Sequence, residues 1–178
     1  MSAADPTANP RRIFLVGFMA SGKTSLGALV APRLSLPFFD LDDRIVMEQG
    51  RGIASIFDND GETAFRGMES EALKNLIEEQ PAGIIATGGG AFTLEENRDR
   101  MEAAGLTVWI DVPLAVLLSR NSTPQRPLWG DDAQVRALAE KRRPLYRLAK
   151  HYLDVGSDSL DMAAERLYQM LVLCSDKT

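Results

Sequence analysis

Gly17-Phe18-Met19-Ala20-Ser21-Gly22-Lys23-Thr24 matches the phosphate-binding pattern G-x-x-x-x-G-K-[ST] at every fixed position. The flanks agree with it. Arg12-Ile13-Phe14-Leu15-Val16, just before, is a short apolar run rich in strand formers, and Ser25 to Leu34, just after, has helical spacing. Strand, glycine loop and helix are the setting in which successive backbone N–H groups turn toward phosphate oxygens at a helix N-terminus, where the backbone dipole also favours negative charge. Ala20, Ser21, Gly22, Lys23, Thr24 and Ser25 are therefore the expected nucleotide-phosphate contacts. Lys23 is expected to reach the β- and γ-phosphates as a catalytic residue, and the Thr24 hydroxyl to ligate Mg²⁺.

The chain has 178 residues, which suits one α/β domain with a sizeable core. A net charge of −5 argues against broad binding to nucleic acid or an anionic membrane, while leaving room for a local basic cleft. The single Cys174 allows no disulfide within the chain and no cysteine-based zinc site, a composition that fits the cytoplasm. Residues 1–10 are small, polar and proline-bearing, without an apolar core segment, and read as a disordered tail rather than a signal peptide. No apolar run approaches the roughly 20 residues that span a bilayer.

Beyond the first helix, Leu36-Pro37-Phe38-Phe39-Asp40 predicts a second buried strand that delivers Asp40, Asp42 and Asp43 to its C-terminal end, where open α/β sheets bind ligands. Ile53 to Phe57 predicts a short helix before a turn at Asn59-Asp60-Gly61. Phe65, Met68, Ala72, Leu73, Leu76 and Ile77 then form one apolar helical face, with Arg66 and Glu69 off that stripe and spaced to pair. Gly83 to Thr87 predicts a third buried strand running into Gly88-Gly89-Gly90. A helix from about Leu94 to Ala104 is expected to stop at Gly105 as its C-terminal cap, and Thr107 to Asp111 to form the fourth strand. Pro113 opens the next helix. The polar stretch of about 120–132, with Arg120, Arg126 and Trp129, reads as a lid. Gln134 to Ala149 resumes as helix, His151 to Val155 is the fifth strand, and Leu160 to Cys174 the closing helix. The alternation predicts a three-layer α/β sandwich: an open, parallel five-stranded sheet flanked by helices, within a single domain spanning 11–174.

These residues together resemble the shikimate kinases of the nucleoside-monophosphate-kinase-like P-loop family. The resemblance is carried by Gly17-Phe18-Met19, Phe39-Asp40-Leu41-Asp42, Gly61-Glu62-Thr63-Ala64-Phe65-Arg66, Thr87-Gly88-Gly89-Gly90, Arg126-Pro127-Leu128 and Arg142-Arg143-Pro144-Leu145-Tyr146, and it covers nearly the whole chain. It implies a sheet order of 2-3-1-4-5 and ATP-dependent phosphorylation of the 3-hydroxyl of shikimate, a step toward chorismate and the aromatic amino acids. It implies shikimate binding by Asp42, Arg66, Gly88, Gly89, Gly90 and Arg142, with Asp42 catalytic. It also implies a phosphate-reaching, catalytic Arg126, an adenine-packing Arg120, and Asp40 holding Mg²⁺ through water. The partners are then ATP and shikimate, for a monomeric enzyme. Ala20-Ser21 stands where many relatives carry Gly-Ala, and the loop after the fifth strand, Val155-Gly156-Ser157-Asp158, lacks a clear proline.

Each element also has a plainer reading. Asp42 and Asp43 suit a helix N-terminus, Arg66 and Glu69 an exposed i,i+3 pair, the glycine run a simple turn, and Arg142, Arg143 and Arg147 a solvated face. His151 reads as structural. Another P-loop small-molecule kinase, such as a gluconate kinase, shares the ATP half, whereas Arg66 and Arg142 as paired planar forks suit a carboxylate on a compact ring. Arg126→Ala is expected to lower turnover by much more than it weakens ATP binding; steady-state kinetics with an ATP-binding titration checks the split, and unchanged turnover would remove Arg126 from the transition state.

Overall fold

A computed structural model of the chain describes residues 12–119, 131–156 and 158–175. The expected tail, and Arg120, Arg126 and Trp129 of the expected lid, lie outside the described residues. In chain order the elements are β1 (Arg12–Val16), α1 (Lys23–Val30), β2 (Phe38–Asp40), α2 (Leu41–Gln49), α3 (Ile53–Glu79), β3 (Gly83–Ala86), α4 (Glu95–Ala104), β4 (Gly105–Asp111), α5 (Leu114–Ser119), α6 (Asp132–Tyr146), β5 (His151–Asp154) and α7 (Leu160–Ser175). The strands form one parallel five-stranded sheet in the order β2-β3-β1-β4-β5, as the resemblance implied.

β1 is the middle strand. It pairs on one side with β3, Phe14 opposite Ile85, and on the other with β4, Phe14 opposite Thr107. A parallel strand covered by helices on both faces needs apolar side chains in both directions, and Ile13, Phe14, Leu15 and Val16 are buried without alternation. Ile84, Ile85, Val108 and Ile110 continue the same core, which α1, α3, α4 and α7 close through residues such as Leu26, Leu73, Met101 and Leu167.

Arg12 fastens the opposite end of the sheet. Its guanidinium donates to the Gln80 carbonyl (2.6 Å) and the Ile77 carbonyl (2.8 Å) at the end of α3, and to the Ala104 carbonyl (3.2 Å) at the end of α4. The last carbonyls of a helix have no intrahelical donor and carry the negative end of its dipole, so one cation serves both helix ends.

The structure corrects several expectations. β2 is shorter than expected and its residues are only partly buried, because it lies at the sheet edge. The turn expected at Asn59 to Gly61 shrinks to one residue: α3 runs from Ile53 to Glu79 and is broken only at Gly61, whose φ of 81° and ψ of 171° no helix contains. α1 ends at Val30 rather than Leu34, since Pro32 cannot continue it and a single 3₁₀ turn, Pro32–Leu34, takes over. Gly105 does cap α4, its N–H donating to the Met101 carbonyl, but in extended rather than left-handed backbone, because it is also the first residue of β4. α6 starts earlier than expected, at a capping box in which Asp131 accepts from the Gln134 backbone and the Gln134 side chain accepts from Asp131 N–H.

At Gly105 the requirement for glycine is steric. A Cβ there would lie 2.3 Å from the Arg12 carbonyl oxygen, a backbone atom held by the β1–β4 pairing. Gly105→Ala is expected to cost about 1–3 kcal/mol of stability by displacing the start of β4; urea denaturation measures it, and a variant as stable as the parent would show that this strand pair has slack.

Candidate active site

The loop that follows β1 leaves the sheet between the ends of β3 and β4. Gly17 makes the exit possible: its φ is 140°, and a Cβ on it would stand 2.7 Å from the Ile110 carbonyl of β4. Ala20 is in the left-handed region at φ 62° and Gly22 at φ 90°, so the backbone curls before α1 begins at Lys23. Lys23 is buried, and its ammonium lies inside the curl, donating to the carbonyls of Gly17 (2.9 Å) and Phe18 (2.8 Å). Its Nζ is 3.3 Å from the Ser21 hydroxyl. In this structure Lys23 thus braces the loop from within.

Asp40, the last residue of β2, does the capping that Asp42 and Asp43 were candidates for. Its Oδ1 accepts from the backbone N–H of Asp42 (2.9 Å) and Asp43 (3.4 Å), while its Oδ2 accepts from the Thr24 hydroxyl (2.6 Å). One carboxylate therefore joins the start of α2 to the start of α1. Asp42 is freed from capping. Its Oδ1 is buried with no hydrogen-bond partner among the described residues, and burial, reinforced by Asp40, pushes its carboxyl up to about 6.

Beside it α3 contributes Arg66 and Glu69. They pair, as their spacing allowed, at 2.7 Å, and Arg66 also reaches Glu62 at 3.1 Å. The pair is not an exposed one. Glu69 has no accessible surface, its Oε1 has no hydrogen-bond partner among the described residues, and burial raises its pKa against the pull of Arg66. Arg66 lies flat against Gly90, where a Cβ would fall 2.1 Å from its Nη1; at Gly88 a Cβ would meet Glu69 Oε1 at 2.4 Å and Asp42 Oδ1 at 2.9 Å. The glycine run is thus a floor over which three charged side chains pass. Arg142, on α6, is also buried rather than on a solvated face, and donates to the Gly89 carbonyl at 3.4 Å.

These parts enclose a single cleft of about 610 Å³. Ala20, Ser21, Gly22, Lys23, Thr24, Ser25, Asp40, Asp42, Arg66, Gly88, Gly89, Gly90 and Arg142, all proposed from the sequence, line it together. Ile53, Phe57 and Phe65 add an apolar wall, with the two phenylalanine rings 4.6 Å apart. Val155, Asp158, Leu160 and Ala163, after β5 and at the start of α7, line the cleft as well. The plainer reading holds for Arg143, which turns away to pair with Asp111 at 2.7 Å. His151 lies beside Cys174, outside the cleft. Glu69 and the apolar wall are among the lining residues that the sequence did not point to. The i,i+3 spacing to Arg66 was a signal for the first, but not for its burial.

The sequence profile of shikimate kinases matches residues 19–172. The chain belongs to the shikimate kinase family. It is similar to the shikimate kinase of Synechococcus sp. (39% identity, covering 94% of this chain and 90% of that one) and to that of Aquifex aeolicus (40%, covering 78% and 83%). Among solved structures it is similar to the shikimate kinase of Acinetobacter baumannii, determined in complex with shikimate (TM-score 0.86, 31% identity, 93% and 94% covered). A gluconokinase from Sinorhizobium meliloti shares the fold at TM-score 0.52 and 17% identity, which is a likeness of fold alone.

For a shikimate kinase family chain, Ala20 is a small liability. A left-handed φ costs a residue with a Cβ about 1–2 kcal/mol, offset in part by the greater chain entropy that glycine loses on folding. Ala20→Gly is expected to raise stability by about 0.5–1 kcal/mol, read from denaturant unfolding; a loss would mean that the alanine methyl is packed better than its backbone strain costs.

Proposed function

We propose that this cleft transfers the γ-phosphoryl group of ATP to the 3-hydroxyl of shikimate. The observation that supports this most directly is the convergence in one cleft of a complete phosphate-binding loop with two guanidinium groups and a carboxylate oxygen that has no partner among the described residues. ATP is a substrate common to kinases of this family. Shikimate, bound in the Acinetobacter baumannii relative, is a compact ring with a carboxylate at one end and hydroxyls at the other. Arg66 and Arg142 offer planar forks to the carboxylate, Gly88 to Gly90 offer backbone, and Phe57 and Phe65 offer an apolar face to the ring.

In this reading the backbone N–H groups of the loop, with Lys23, hold the β- and γ-phosphates; Lys23 exchanges its present carbonyl partners for phosphoryl oxygens. Asp42 Oδ1 accepts the hydrogen bond of the attacking hydroxyl and takes its proton as the new P–O bond forms and the bond to the ADP oxygen breaks. Thr24 and Asp40 fit a Mg²⁺ ion: a hydroxyl and a carboxylate, both hard oxygen donors, lie 2.6 Å apart beside the loop. Thr24 would hold the ion directly and Asp40 through water, and the bound ion supplies charge neutralisation to the phosphates. Arg120 and Arg126, outside the described residues, are assigned to adenine and to the phosphates by resemblance, within a lid of about 120–132 on one domain spanning 11–174.

The reading extends to a cytoplasmic monomer that engages neither nucleic acid nor membrane. No helix among the described residues is long and apolar enough to cross a membrane. ADP release by the purified chain with Mg²⁺ATP is expected with shikimate and not with gluconate or without an acceptor; turnover on gluconate alone would overturn the acceptor assignment. Asp42→Asn is expected to lower turnover by about 10²–10⁴-fold with little change in ATP affinity, and near-normal turnover would remove Asp42 as the base.

A further inference from the structure

Tyr146 is buried on α6, one turn beyond Arg142 on the same side of the helix, and its hydroxyl donates to the Gly89 carbonyl at 2.5 Å. The same oxygen accepts from Arg142 at 3.4 Å, a long and weak contact. Two donors from one helix therefore share one carbonyl in the glycine run. Burial pushes the Tyr146 hydroxyl up to about 12, so it remains a donor throughout the working range. The ring is held in place by Trp109, stacked 6.3 Å away.

The carbonyl belongs to the Gly89–Gly90 peptide, which is trans like the other described peptides. In a trans peptide the N–H points opposite to the C=O, so anchoring the Gly89 oxygen toward α6 turns the Gly90 N–H away from α6. Gly90 is the residue against which Arg66 lies, and Gly89 presses on the Met19 backbone of the phosphate loop, a Cβ there falling 3.1 Å from Met19 N. This peptide is thus wedged between the nucleotide half of the cleft and both arginines.

We infer that Tyr146 is a positioning residue for the acceptor: it holds the Gly89–Gly90 peptide and keeps its buried carbonyl satisfied, which leaves Arg142 free to leave that carbonyl for the carboxylate of the bound acceptor. The inference rests on the assignment of Arg142 to an acceptor carboxylate. Without Tyr146, Arg142 is the remaining donor to the Gly89 oxygen, and its move to a ligand strands a buried acceptor, a penalty paid only in the acceptor-bound state.

The test is Tyr146→Phe, which keeps the ring. KM for shikimate is expected to rise about 10-fold while kcat and KM for ATP stay within about 2-fold. Amide exchange at Gly90 is expected to quicken in the same variant, with or without acceptor. A parallel rise in both KM values, a fall in kcat alone, or unchanged exchange would overturn the inference and leave Tyr146 a packing residue. Wild-type exchange at Gly90 gives a readout that does not depend on the variant folding: it is expected not to quicken when shikimate binds, and acceleration on binding would overturn the role. A wild type that fails to turn over shikimate would instead count against the acceptor reading, while the exchange comparison would still decide whether Tyr146 holds the peptide.

Discussion

Parallel pairing of β1 on both sides is the constraint from which the rest of the site follows. With β3 on one flank and β4 on the other, the chain that leaves Val16 emerges between two strand ends, where a parallel sheet reverses its winding and a crevice opens. The Leu15 carbonyl accepts from both the backbone N–H and the hydroxyl of Thr87, at 3.1 and 3.0 Å, so the glycine run starts at a fixed height beside the phosphate loop. Gly17 passes too close to Ile110 for any side chain. Phosphate loop and glycine run are therefore set against each other by hydrogen bonds between neighbouring strand ends.

Charge is concentrated where that frame is tightest. Lys23, Asp42, Arg66, Glu69 and Arg142 lie in or under one cleft, with Glu69 wholly buried. Removing ions from water is costly, and a buried pair is often less stable than well-packed apolar residues in its place. Here the charges have geometry to preserve: Glu69 holds Arg66 flat on Gly90, and Asp40 ties Thr24 to the α2 backbone. Asp42 Oδ1 and Glu69 Oε1 have no hydrogen-bond partner among the described residues, a departure from ordinary buried polar chemistry that points to a functional site.

Away from the cleft, side-chain bridges join the helix ends. Arg12 gathers the carbonyl ends of α3 and α4, and Arg44 bridges α2 to α3 through Glu79. The first of these contacts engages groups that face no ligand, whereas Ala20, a residue with a Cβ in the left-handed region, lies at the phosphate loop.

The chain by itself determined the alternation of strands and helices, because strands covered on both faces must be continuous apolar runs and the phosphate loop is a contiguous motif whose geometry is local. It also carried, through the combination of short motifs, the family and many of the residues that line the cleft. What it did not contain was burial and direction. Glu69 and Arg142 read equally well as surface charges until α3 and α6 were seen to press them against the glycine run. The cap of α2 fell to Asp40 rather than Asp42 because β2 ends at Asp40 and the helix starts at Leu41, a boundary set by pairing with β3, and Gly105 became a strand residue because Arg12 is its neighbour. Tyr146 meets Gly89 across 57 positions. Such contacts are decided by which elements the sheet brings together, and spacing along the chain records only neighbours on the same element.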